Sequence, residues 1–574
     1  MSFLAENLPS APPAAVARID SVELVRRVEV AAGLREETEP CSEVAIIDVR
    51  EQKAYSEGLI LLSANIPMQR LELNVATQLP RRDVPLVIID QHGELSLDAA
   101  QRLQLLGYTD LAILEGGIEQ WVSDGLPLYS GFNVRSKAFA EQVEHEFSTP
   151  SLSATELFAR RAAGEKIVVL DSRPYDEYLH STVPGALSVP GAELIRVARD
   201  VVPDPATTIV VSCGGRTRSI VGAQSLISAR LPNPVLSLRN GTGGLRLDGI
   251  ELEYGATRAH SEATPASLNW AQSAVRQLSD AVEVQELHAD ALSQWLSDSS
   301  RTLYVFDLRA GDDYETGHHP KARNVSGGQL VQATDVHAPV WGARILLIDD
   351  ESLIRARQTT YWLAQLGSFE LGIIKQQDLP VERQAGPWQR LVVQARSAAI
   401  HSIDAVTLAG LASSADVTTR PLVLDLSASP AYRVAHIPGS HWLLRSQLLA
   451  YIGSLPPTRP VVVSAEDGRL ARIAVEYLIA EHPHLRPRVS ALNEGNQGWA
   501  NAGYELKAAV IAGPEDVQHY NDVWTAPQKT VGDMLGAVKR YLTWEVDLLE
   551  QLGRDPHRAL VIRGLKTLTS LPQT

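Results

Sequence analysis

At 574 residues the chain is too long for one core, and about 100–200 residues per domain implies several domains. Apolar residues make up 45% and charged residues 21%, as in an ordinary globular protein, while a net charge of −16 argues against nucleic acid or an anionic membrane as the main partner. The 2 cysteines cannot build a disulfide framework, and with no Cys-x-x-Cys the usual zinc and dithiol signatures are absent, so neither metal nor cofactor is expected.

The N-terminal Met1-Ser-Phe-Leu-Ala-Glu-Asn-Leu-Pro-Ser-Ala-Pro-Pro13 lacks a basic leader and a long apolar run, which predicts a soluble, cytoplasmic protein. Along the chain one strand motif then recurs four times, as Ala45-Ile-Ile-Asp48-Val-Arg50, Val168-Val-Leu-Asp171-Ser-Arg173, Tyr304-Val-Phe-Asp307-Leu-Arg309 and Leu422-Val-Leu-Asp425-Leu-Ser427. The Asp residues are 123, 136 and 118 positions apart, a spacing of domain size.

Each copy continues into an acidic and aromatic helical patch and a turn: Asn65-Ile-Pro67, Val183-Pro-Gly-Ala186, Gly317-His-His-Pro-Lys-Ala322 and His436-Ile-Pro-Gly-Ser440. A second apolar strand follows at Pro85–Ile89, Thr208–Ser212, Arg344–Ile348 and Pro460–Ser464. Continuous Val/Ile/Leu strands alternating with helices predict parallel sheets covered on both faces, hence an α/β fold repeated four times. The first and fourth copies close with Leu114-Glu-Gly-Gly-Ile-Glu-Gln-Trp121 and Leu492-Asn-Glu-Gly-Asn-Gln-Gly-Trp499, and the second with Leu238-Arg-Asn-Gly-Thr-Gly-Gly244. Linkers are expected near 131–147, 256–270 and 385–400, where strand patterns lapse. In the tail, Val531, Met534, Leu535, Val538, Leu542, Val546 and Leu549 recur at helical spacing, predicting a helix packed on the domains, with a homodimer contact as the alternative.

The chemistry-bearing segment is Cys213-Gly-Gly-Arg-Thr-Arg-Ser219, a thiol where the Thr208–Ser212 strand enters a glycine and arginine loop. A thiolate needs positive charge nearby, glycines let backbone N–H groups turn toward an oxyanion, and the helix that follows aims its dipole at the sulfur. From the motif Asp to the end of the second strand is 42, 42, 43 and 40 residues, placing Asp90, Cys213, Asp350 and Ala465 at one position in the four copies. Only the second can do cysteine chemistry. The other loops are not basic, and Glu466-Asp-Gly-Arg-Leu470 puts carboxylates where an anion would sit.

These motifs resemble the rhodanese superfamily over roughly residues 15 to 507: an Asp-x-Arg strand, an x-Pro-Gly-Ala turn, a Cys loop and a Gly-Gly-x-x-x-Trp closing motif. The resemblance implies four tandem rhodanese-like domains, each a mainly parallel sheet flanked by helices, at 15–130, 148–256, 272–388 and 400–507. A helical extension at 508–574 completes the chain. It further implies a thiosulfate-type sulfurtransferase. Cys213 would take sulfane sulfur from a small anionic donor and hold it as a persulfide until a thiophilic acceptor removes it. Arg218 would act with Cys213, while Gly214, Gly215, Arg216, Thr217 and Arg173 would line the anion site. The six-residue loop from Cys213 to Arg218 matches the family's sulfurtransferases rather than its phosphatase relatives, whose loop is one residue longer. The alternatives are a persulfide carrier serving a protein sulfur acceptor and a phosphatase-like anion module.

Blander readings apply elsewhere. Asp-x-Arg recurs in Asp48/Arg50 and Asp307/Arg309, where no cysteine exists, which favours a structural role for Asp171 and Arg173. His318, His319, His436 and His441 lie at or beside the Pro turns of copies without the nucleophile, which argues against a metal site. His180 reads as a packing residue, with the pocket rim as the alternative, and Cys41 as a structural or incidentally exposed thiol.

Overall fold

The apolar runs form strands buried on both faces; Thr208–Ser212 is buried at all of its positions. The computed structural model describes residues 15–35, 43–282, 284–379, 383–389, 400–414, 419–510, 520–562 and 565. Four mainly parallel sheets flanked by helices follow one another along the chain, an α/β fold. The second sheet orders its strands Ser151–Leu152, Val235–Leu238, Thr208–Ser212, Ile167–Asp171 and Leu187–Ser188, all parallel. The other three repeat this order, and the first gains an antiparallel strand, Val340–Trp341, lent by the third domain and registered on Val44 and Ala45.

The expected linkers contain structure. Residues Val134–Phe147 form a helix that inserts Phe139, Ala140 and Val143 into an apolar cluster shared by the first three domains. Trp362 from the third domain meets the Phe139 ring edge-on at 6.0 Å and donates through its indole N–H to Ser225 of the second at 2.8 Å. The 256–270 linker runs into the helix Pro265–Asp280, capped by the Thr264 side chain. Of the third linker, residues 390–399 lie outside the described residues, as does Cys41.

The tail contains the helix Met534–Arg554, whose buried face is Val538, Leu542, Glu545, Leu548 and Leu552. This corrects the sequence stripe: Val531, Leu535 and Val546 are exposed. The inward face is rotated because the helix covers a charged site, where Glu545 replaces an apolar residue. Among the described residues no helix is long and apolar enough to cross a membrane.

Candidate active site

Cys213 follows the strand Thr208–Ser212, and the helix Thr217–Ser228 begins four residues later. The closing glycine motif shapes the loop between them. Gly241 has φ +49°, and a Cβ there would lie 2.1 Å from the Cys213 carbonyl oxygen, so only glycine fits. The next two residues then bind the loop carbonyls: Thr242 N–H donates to Cys213 O at 2.9 Å and Gly243 N–H to Gly214 O at 3.1 Å. With its carbonyls held from behind, the loop leaves its N–H groups for the front. Among the described residues, those from Gly214 to Ser219 meet no protein acceptor. The Cys213 thiol, 2% exposed, donates to the Ser219 hydroxyl at 3.6 Å, and that hydroxyl donates to Arg216 O at 2.7 Å.

The first domain builds the same loop and fills it. Gly117 stands over Asp90 O as Gly241 stands over Cys213 O, and Ile118 N–H donates to Asp90 O at 2.9 Å. The Asp90 carboxylate turns inward to accept from the N–H groups of Gly93, Leu95 at 2.7 Å and Ser96 at 3.2 Å. In the third domain the register corrects the expected position by one: Asp307 pairs with Ile348 as Asp171 pairs with Ser212, so Asp349 rather than Asp350 is the counterpart of Cys213, because the loop from strand to helix there is one residue longer. Asp349 accepts from Ala356 N–H at 3.0 Å and pairs with Arg355 at 3.0 Å, while Asp350 pairs with Arg355 at 2.9 Å and with Arg196 of the second domain at 2.5 Å. In the fourth, Glu466 pairs with Arg70 of the first and accepts from Ala428 N–H at 2.9 Å.

The arginines depart from the expected basic cradle. Arg216 is turned out of the loop onto the Val134–Phe147 helix, where its guanidinium meets both Glu141 oxygens at 2.7 and 2.8 Å and also Glu144. Once buried, that cation requires carboxylate partners, which removes it from the anion site. Arg218 stays beside the loop, with Nη2 3.9 Å from where a Cβ on Gly214 would lie, but is held bidentately by Glu177 at 2.7 and 2.9 Å and by Gln329 at 3.0 Å. Arg173 is committed to Asp171 at 2.9 and 2.6 Å and to the Ser181 carbonyl at 2.5 Å. Arg50 and Arg309 repeat that staple on Asp48 and Asp307, where no thiol is present, so Arg173 belongs to the fold rather than to the anion site. Thr217 opens the helix and is buried.

Sequence reasoning missed the roof. The Met534–Arg554 helix lies across the loop, with Leu542 and Val538 3.3 and 3.5 Å from where a Cβ on Gly243 would lie. Glu545 Oε2 is 2.9 Å from where a Cβ on Gly215 would lie. Tyr541 donates to Glu545 Oε1 at 3.0 Å, while Oε2 has no partner. Burial pushes the Glu545 carboxyl up to about 7, against the pull of Lys137. Lys137, on the Val134–Phe147 helix, is 4% exposed and donates to the Phe132 carbonyl. The Tyr541 and Trp544 rings each lie 5.8 Å from its ammonium. Burial lowers Lys137 to about 8, with Glu545, Asp335 and the Cys213 sulfur pulling it back up. The sole signal for this wall was helical spacing in the tail. Among the histidines, His318 stacks on Tyr314 at 3.8 Å and His436 on Tyr432 at 4.1 Å, while His180, expected to pack, is exposed, as is His441.

A family model described as a rhodanese-like domain matches residues 30–124 and 153–246. A solved thiosulfate sulfurtransferase from Pseudomonas aeruginosa superposes with a TM-score of 0.85 at 37% identity, covering 95% of this chain and 100% of that one. Shorter matches are the uncharacterized protein YibN of Escherichia coli K12, 24% identical over 90 residues, and the HTH-type transcriptional regulator Rv0324 of Mycobacterium tuberculosis, 30% identical over 112 residues. These two cover 16% and 20% of this chain, and 63% and 48% of those relatives. With four sheets in one strand order and a near-complete match to a relative built the same way, the chain belongs to the rhodanese superfamily, as a protein of four tandem rhodanese-like domains.

Proposed function

We propose that the protein is a sulfurtransferase that moves sulfane sulfur from thiosulfate or a similar small anionic donor to a thiophilic acceptor through a Cys213 persulfide. One observation carries this reading. The Cys213 loop presents unpaired N–H groups around a thiol, and the equivalent groups in the first domain are occupied by the Asp90 carboxylate. A loop that binds a carboxylate when given one is an anion site when left open. The similarity to the Pseudomonas aeruginosa thiosulfate sulfurtransferase supports the same substrate class.

The thiolate of Cys213 attacks the outer sulfur of thiosulfate, forming a new S–S bond. The old S–S bond breaks with its electron pair on sulfite, and the enzyme keeps the persulfide anion. A nucleophilic acceptor then attacks the outer persulfide sulfur and returns the Cys213 thiolate. The loop N–H groups stabilise the anionic sulfur in both steps. Burial of Cys213 beneath the tail helix suits small donors and acceptors better than a partner protein's cysteine.

The test is intact mass after separate incubation with thiosulfate, 3-mercaptopyruvate and glutathione persulfide. A gain of one sulfur atom, mapped to Cys213 and discharged by cyanide, is expected with thiosulfate. No gain with any donor would sink the enzymatic reading.

A further inference from the structure

The site lacks the free positive charge that its loop sequence promised. Arg216 is neutralised by Glu141 and Glu144, and Arg218 by Glu177. Yet attack by a thiolate on a dianionic donor gathers three negative charges at a buried thiol, and expels a dianion. Hydrogen bonds from loop amides carry no net charge to balance them. Some cation must.

Lys137 is the candidate the fold supplies. Its ammonium is buried, has one carbonyl acceptor and two aromatic rings around it, and among the described residues has no carboxylate at ion-pair distance. A buried ammonium held so sparsely is costly unless an anion joins it. A chain of contacts connects it to the Cys213 loop. Tyr541, whose ring faces Lys137, donates to Glu545, and Glu545 rests on Gly215. The Cys213 sulfur and Arg218 are both within electrostatic reach of Lys137. It sits between the two stretches that the rhodanese-like model matches, on a helix outside the repeated unit.

We propose that Lys137 is the donor-binding cation of the Cys213 site, holding the sulfonate end of thiosulfate and the sulfite that departs from it. This rests on the reading of Cys213 as a sulfur-accepting thiol, and it makes the linker helix part of the active site. Glu545, on the facing helix, is placed to compete with the donor for the same ammonium when ionised.

The test compares Lys137→Met and Lys137→Arg with the wild type, in the full-length chain, with two donors. Lys137→Met should lower kcat/KM for thiosulfate at least about tenfold, the scale of one lost charge-assisted contact. With an alkyl persulfide, which has no sulfonate to hold, the loss should be under about threefold, and Lys137→Arg should recover most of the thiosulfate rate. Equal losses with both donors would show a structural role and overturn the proposal, as would no loss with either. Binding is read separately by calorimetry of thiosulfate with Cys213→Ala, whose affinity Lys137→Met should weaken by a similar factor. If the wild type takes sulfur from no donor, the sulfurtransferase reading fails, and this binding result still decides the role of Lys137. Should Lys137→Met not fold, a crystal of Cys213→Ala soaked in thiosulfate decides instead. A sulfonate oxygen within about 3.2 Å of Nζ supports the proposal, and an anion held by the loop and Arg218 alone overturns it.

Discussion

The Asp90 carboxylate accepts the backbone N–H of Leu95 at 2.7 Å, in the place where the second domain's loop holds its thiol before an open set of amides. The first domain therefore carries its anion as a side chain. Replacing Asp90 with Ala strands buried N–H groups and should destabilise the protein by about 1–3 kcal/mol, read as a lower urea midpoint. Transfer from thiosulfate through Cys213 should stay within about twofold of wild type in the folded protein. A large loss of rate at unchanged stability would mean that the first domain takes part in the chemistry.

Gly241 is the second point of leverage. An Ala there meets the Cys213 carbonyl and a backbone conformation that L side chains rarely adopt. Gly241→Ala should displace the loop and lower sulfur loading of Cys213 at least about tenfold, measured by intact mass. A substitution at Gly249, also at positive φ but with open space around it, should cost only modest stability and leave loading intact.

The two loop arginines should separate. Arg216→Ala leaves Glu141 and Glu144 without their cation on a buried helix and should cost about 3–5 kcal/mol of stability. Arg218→Ala leaves the Glu177 carboxylate unpaired near the loop, where it repels an anion, and should chiefly weaken donor capture, by more than changes at Asp90, Asp349 or Ala465. Equal kinetic effects at all four positions would show that the other domains are not inert.

Acidity should modulate both capture and stability. Glu545 faces Lys137 and Glu141 on the linker helix, Arg216 on the loop and Tyr541 on its own helix. Its carboxyl is raised to about 7, so the folded state holds the proton more strongly than the unfolded chain does. That contribution is fully present at pH values below the ordinary carboxylate range and is lost as pH rises through about 7. Above that pH an ionised Glu545 competes for Lys137, which itself discharges at about 8. Thiosulfate kcat/KM should therefore fall between pH 7 and 9. Glu545→Gln should flatten the change in Tm between pH 5 and 8; an unaltered slope would refute the assignment.

The sheets were legible because Val/Ile/Leu runs without alternation have few other fates, and four copies controlled for chance. The glycine clamp was legible as a motif, though its grip on the loop carbonyls was not. The helix Val134–Phe147 was missed because it is buried on several sides at once, so Arg135, Lys137 and Glu141 interrupt any single apolar stripe. Arg216 could not be aimed from sequence, since Glu141 is 75 positions away. Glu545 left no signal in the sequence because its neighbours in space are charges, which leave no periodic trace in its own helix.

The apolar cluster running through the first three domains has a thermodynamic corollary. Side chains from all three interdigitate around Phe139 and Trp362, and one strand of the third domain completes the sheet of the first. The fourth domain keeps its own apolar clusters, joined to the first by Leu73 and by polar contacts such as Arg445 with Glu72 at 2.6 Å. Four structural repeats should therefore melt as two cooperative units. Calorimetry should resolve one large transition with the enthalpy of three domains and one smaller transition, and sulfur transfer should vanish with the larger.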